Sequence, residues 1–172
     1  MILYRIDDAA GFKRLYYPRV LLNYHNMDDY KMLFQTLREY WELLAPDKEF
    51  DLNDKRLRDD LSKSIGYETA NRIIDSANSY LAGKEWLKTE PYRAIYNYIK
   101  EKTSSISNVV DVYPSEIEDI DDPEEKYFRI VVVVKNMSLD NAFGLDVSLN
   151  EEIDKEFPDE YVFVEVKCIK YV

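Results

Sequence analysis

Apolar residues recur every three to four positions along residues 28–103. Along residues 109–172 they alternate or run together. The first period predicts helices and the second predicts strands. Leu33, Leu37, Tyr40, Trp41 and Leu44 fall on one face of a helix that Asp28 or Asp29 could cap and Pro46 would end. Asn53 or Asp54 is placed to cap a short helix carrying Leu57 and Leu61, which Gly66 breaks. Ala70, Ile73, Ile74, Ala77 and Leu81 line the next helix, with Gly83 in position for its C-terminal cap. Thr89 is placed to cap a fourth, with Pro91 in its first turn and Tyr92, Ile95 and Ile99 along one face. Lys100 and Lys102 suit that helix's negative end. The first 27 residues follow neither period cleanly. ILYRI reads as a short strand, DDAAG as a turn and RVLLNYH as a second apolar piece.

The small polar run TSSISN is the natural place for a boundary, with 104–108 as the linker. Beyond it, NVVDVY reads as a strand and KYFRIVVVVK, dense in β-branched residues, as another. SLNEEIDKEF carries a capping box, Ser148 followed by Glu151, and an apolar stripe of Leu149, Ile153 and Phe157. Pro158 and Asp159 turn the chain into a last strand, YVFVEVKCI. The expected fold is α+β: a bundle-like helical unit over 1–103, then a β-β-α-β sheet-plus-helix unit over 109–172.

Charge sharpens this division. The chain of 172 residues has a net charge of -11. Residues 1–105 hold 17 basic and 17 acidic side chains, whereas residues 106–172 hold 6 and 17, so the second part carries the whole excess. The stretch VYPSEIEDIDDPEE, residues 112–125, contains seven acids and no base. Such a surface repels nucleic acid and anionic membrane and attracts basic proteins or cations. Glu116, Glu118, Asp119, Asp121, Asp122, Glu124 and Glu125 are therefore the candidate partner-binding residues. A calcium loop of the EF-hand type needs a glycine at its sixth position, and this stretch has none. DNAFGLDVSLNEE, from Asp140, puts glycine fifth and fails too. The ordinary reading of the acids is a hydrated hairpin loop that keeps a sheet edge soluble.

Other chemistry finds little support. The only histidine is His25, too few for a multi-histidine metal site. Cys168 alternates with Val164 and Val166, which predicts a buried, inert thiol. Four glycines, Gly11, Gly66, Gly83 and Gly144, form no phosphate-binding loop. No catalytic residue, metal ligand or cofactor is expected. No apolar run reaches the length of a membrane span, and the start MILYRIDD has no signal-peptide core, so a cytoplasmic protein is expected. A single glutamine, Gln35, beside 33% charged residues leans toward a thermophilic source.

SIGYETANRII, residues 64–74, resembles a helix-hairpin-helix motif through Ile65, Gly66, Thr69, Ala70, Ile73 and Ile74. The resemblance implies that Gly66, Tyr67 and Thr69 sit where backbone N–H groups hold a nucleic-acid phosphate. Ser64 replaces the motif's first glycine, and Glu68 stands where a basic residue would help. Tyr4, Tyr16, Tyr17 and Tyr24, beside Arg5, Lys13, Arg14 and Arg19, add a thin basic and aromatic patch. The β-β-α-β order is similar to small nucleotidyltransferase domains, but their Gly-Ser pair and spaced aspartates are missing. It is similar also to ferredoxin-like domains, which often dimerise through their sheets, so a homodimer is a further expectation. The expected role is a non-catalytic interaction module whose acidic unit meets a basic protein, with nucleic-acid association as the alternative.

Overall fold

The computed structural model describes residues 27–169 and, ahead of them, two short strands, β1 (Tyr4–Asp7) and β2 (Lys13–Tyr16). The fold is α+β, a helical part followed by a β-β-α-β unit. β1 and β2 pair antiparallel, with Tyr4 opposite Tyr16. The strand expected at ILYRI falls here, whereas RVLLNYH and His25 lie outside the described residues. The chain forms two compact units, Met1–Asn78 and Ser79–Val172.

In the first unit, α1 (Met27–Leu44) starts ahead of both aspartates expected to cap it. Leu33, Leu37, Tyr40 and Trp41 are buried, as their spacing predicts. Asp54 caps α2 (Lys55–Ile65), accepting from the Arg56 N–H at 2.9 Å. Hydrogen bonding to the Arg56 side chain and backbone holds the Asp54 carboxyl down at about 2. Leu57 and Leu61 are buried. A single residue, Gly66, separates α2 from α3 (Tyr67–Trp86). It takes φ +89°, a conformation that glycine adopts freely and other residues rarely do. Ala70, Ile73, Ile74 and Ala77 complete the apolar set. Leu81, expected on the same face, is exposed.

The second unit opens with the last turns of α3. Then come α4 (Tyr92–Thr103), β3 (Val109–Glu118), β4 (Lys126–Lys135), α5 (Leu139–Glu156) and β5 (Val162–Ile169). The sheet order is β3-β4-β5, antiparallel between the first two and parallel between the last two. Side chains alternate between the faces of a strand. Phe128, Ile130, Val132 and Val134 of β4 thus enter one core with Ile95 and Ile99 of α4 and Leu149 and Ile153 of α5. The segment 104–108, expected as a linker between units, joins α4 and β3, two elements of this one core. Phe157 and Cys168 pack at its margin.

Four local expectations are corrected. Gly83 does not cap α3; it lies inside the helix, against the backbone of Pro114 and Ser115. Thr89 does not cap α4, whose N-cap position is Pro91; its hydroxyl donates back to the Trp86 carbonyl at 3.0 Å. α5 begins nine residues before Ser148, at Leu139, with Ser138 as its cap accepting from the Asn141 N–H at 3.2 Å. β3 extends to Glu118, past Pro114, so half of the acidic stretch is strand rather than loop. Pro114 is tolerated because β3 is an edge strand.

The edges of the sheet are both covered. Tyr113 and Phe128 point to opposite faces. Tyr80 meets the Tyr113 ring, at 6.2 Å between centroids, and Trp86 stacks on Phe128 at 6.0 Å. The end of α3 therefore runs past the β3 edge, with Gly83 at the crossing. On the far side, the Asn150 side chain of α5 exchanges two hydrogen bonds with Val164, accepting from its N–H at 2.9 Å and donating to its carbonyl at 2.8 Å. Asp146 accepts from the Val166 N–H at 3.0 Å. These groups satisfy peptide positions that an open edge strand would show to solvent.

Candidate functional site

The seven acids of the β3–β4 hairpin fall into distinct groups. Glu116 faces the core side, accepting from the Trp86 indole at 2.7 Å with Lys126 Nζ at 3.9 Å. Asp119 shapes the loop: one of its oxygens accepts from the N–H groups of Asp121 and Asp122, at 2.8 and 3.2 Å. Asp122 does the same for the Glu124 N–H at 3.2 Å. Backbone bonds from Asp119 to Glu125 and from Glu125 to Asp122, both 2.9 Å, close the turn. Glu125 accepts from the Tyr127 hydroxyl at 2.8 Å. Glu118, Asp121 and Glu124 are the remaining three. Their carboxylates have no hydrogen bond or ion pair among the described residues, and Ile120 stands between them at 97% exposure. The loop is thus braced by its own backbone while three charges and one apolar side chain project from it. Side-chain-to-backbone bonds of this kind are common in turns rich in Asp.

The opposite face of the sheet begins where the loop ends. Register puts Ile117 opposite Tyr127 in one row, and Ser115, Arg129 and Phe163 in the next, with Tyr161 just ahead of β5. The Tyr127 ring lies 5.6 Å from Phe163, at 75° to it, and 6.3 Å from Tyr161. Tyr161 is 78% exposed and Phe163 42%. Glu125, accepting the Tyr127 hydroxyl, pushes that phenol up to about 12, with burial and the charges of Glu125 and Asp119 adding to the shift. Arg129 is already engaged. It bonds Glu165 at 2.8 Å and the Ser115 hydroxyl at 3.0 Å, while its buried Nε has no partner among the described residues. Sequence reading missed this aromatic group. Alternation around KYFRIVVVVK was its only signal, and the pairing of β4 with β5 that completes it is non-local.

Elsewhere the second unit exposes Leu139, Phe143 and Val147, spaced four apart on the outer side of α5. In the helical part, Tyr67 is 72% exposed, Thr69 is half-buried and Glu68 is exposed beside them. The Gly66 N–H already donates to the Ser62 carbonyl at 2.9 Å, so it is not free for a phosphate. The side chains of the basic N-terminal segment lie outside the described residues. Among the described residues, no three His, Cys, Asp or Glu side chains gather to hold a metal ion, and no helix is long and apolar enough to cross a membrane.

No known family profile matches the chain, and no curated protein does. Among solved structures, the type III secretion system protein EscJ of enteropathogenic E. coli aligns over 98% of this chain and 84% of its own, at 14% identity and a TM-score of 0.28. A likeness that distant carries no functional argument.

Proposed function

We propose that the chain is a non-catalytic interaction module that docks a protein with a basic surface through its acidic β3–β4 hairpin. One observation carries the reading. The hairpin loop is held by its own hydrogen bonds and, among the described residues, leaves Glu118, Asp121 and Glu124 without a cation. A pre-shaped acidic loop loses little conformational freedom when a partner arrives. Its field speeds encounter with a basic surface and turns away polyanions. Asp119, Asp122 and Glu125 then support the loop, and Glu116 supports the strand behind it.

The test is affinity capture from source-cell lysate, with and without nuclease, at low and moderate salt. The bait is the native chain or a triple variant, Glu118→Gln, Asp121→Asn and Glu124→Gln. The expected result is a basic protein retained regardless of nuclease, lost with the variant and weakened by salt. Retention that the variant leaves unchanged would refute the reading. The second reading, nucleic-acid association through Gly66, Tyr67 and Thr69, draws on the exposed Tyr67 ring at the α3 start. Capture abolished by nuclease would favour it.

A further inference from the structure

The aromatic group beside the hairpin suggests what the basic partner presents. Tyr127, Tyr161 and Phe163 form a cluster on one face of the sheet, and two of the three rings are open to solvent. Large exposed rings in contact are unusual on a surface with no partner. The rim of this cluster is acidic. Glu125 bonds the Tyr127 hydroxyl, and Asp119 lies close enough to act on the same phenol. Ring faces edged by carboxylates suit a flat, weakly hydrated cation: the rings attract it through their quadrupoles and the carboxylates accept its N–H groups. Arg129, opposite Phe163 on this face, is paired with Glu165.

Two other occupants fit less well. A second copy of the chain would bring its own acidic hairpin against this one, within a stretch, residues 106–172, that carries the full excess of -11. A nucleic-acid strand could stack its bases on the rings, but its phosphates would meet Glu125 and Asp119.

We propose that Tyr127, Tyr161 and Phe163, with the adjoining acidic hairpin, form the seat for an arginine-bearing peptide segment of the partner. This rests on the reading of the hairpin as a docking surface for a basic protein. Arginine side chains lie over the rings, and the flanking positive charge of the segment reaches Glu118, Asp121 and Glu124 on the loop.

The probe is a fluorescein-labelled peptide of alternating arginine and glycine. Its control is the same peptide with citrulline, a neutral near-isostere, at each arginine. Binding is followed by fluorescence anisotropy, and the site is mapped by chemical shifts of the Tyr and Phe ring protons. The arginine peptide binds, the citrulline peptide does not, and the Tyr161 and Phe163 rings shift on titration. The double variant Tyr161→Ala and Phe163→Ala weakens binding about 5- to 30-fold, the loss expected for two exposed cation–π contacts. Both residues have solvent-exposed rings, and an unchanged amide spectrum for the β4 core shows that the variant is folded. Unchanged affinity in that variant, with binding still sensitive to the three loop acids, overturns the seat and leaves the docking role of the hairpin standing. Binding that needs the rings and ignores the loop acids keeps the seat and removes the hairpin's role. Failure to bind the arginine peptide overturns the seat even if lysate capture succeeds. Preference for a single-stranded oligonucleotide, or protection of these rings by self-association in sedimentation, overturns it in favour of those occupants.

Discussion

Gly83 and Gly144 are both glycines inside helices, and replacing each by alanine should move stability in opposite directions. A helical glycine is worse than alanine by about 1 kcal/mol, through backbone entropy alone. At Gly144 a Cβ would meet nothing within 4 Å. Gly144→Ala should therefore gain about 0.5–1 kcal/mol, raising the melting temperature by about 2–8 °C for a unit of this size. At Gly83 a Cβ would stand 2.4 Å from the Ser115 nitrogen, 2.5 Å from its Cα and 2.6 Å from the Pro114 carbonyl carbon. Ordinary carbon contacts lie at about 3.5–4.0 Å, so helix and strand would have to part by about 1 Å. All three atoms are backbone, and no rotamer change relieves the clash. Overpacking of this kind costs about 1–3 kcal/mol. Taking the upper end and subtracting the gain in helix propensity leaves a net loss of about 2 kcal/mol, or about 8–16 °C. Calorimetry gives the melting shift, and native-state hydrogen exchange of the β4 amides confines the reading to the unit containing both glycines. If Gly83→Ala is as stable as Gly144→Ala, α3 does not cross β3 at this point and the covered-edge description is wrong.

Three further outcomes follow from particular bonds. Asn150→Ala removes both bonds to the Val164 peptide groups, so it should destabilise the second unit by about 2 kcal/mol in urea unfolding and raise light scattering as the β5 edge opens. Tyr96→Phe removes the bond from a buried hydroxyl to the Val112 carbonyl at 2.8 Å, and should cost about 1–2 kcal/mol by the same assay. Asp54, held at about 2 by its bonds to Arg56, stabilises the folded chain above its unfolded value near 3.8; that stability is lost as pH falls through the window down to about 2. Carboxyl-carbon NMR should show this low titration in the native chain and its return toward 3.8 in Arg56→Gln. An Asp54 midpoint unaffected by that change would contradict the assignment.

The helices were legible where burial and period coincide. Leu33, Leu37 and Trp41, or Ile73, Ile74 and Ala77, announce a face because each contacts neighbours one turn away. β4 was legible as well, since five consecutive buried residues from Ile130 to Val134 leave only a central strand. The start of α5 was hidden. Asp140, Asn141 and Gly144 are poor helix formers, and Ser148 with Glu151 imitated a cap in mid-helix. What holds that first half is tertiary: Ala142 enters the core and Asp146 reaches β5. The acids were visible as a group but not by role. Nothing in the spacing separates Asp119, which braces the turn, from Asp121, which projects. The ring cluster was invisible for a similar reason, because Phe163 and Tyr127 meet only after a parallel pairing that skips a whole helix.

The covered edges decide how this sheet can grow. A three-stranded sheet with open rims behaves like a monomer with two reactive ends: each can add a strand from another chain, and association then propagates. Here one rim is occupied by a helix crossing at Gly83 and the other by the amide of Asn150, so both ends are terminated. Among the described residues, strand addition at these positions meets peptide groups already bonded or covered. Growth of the sheet strand by strand is therefore opposed at these positions, and Asn150→Ala, which frees Val164, should restore it at one rim.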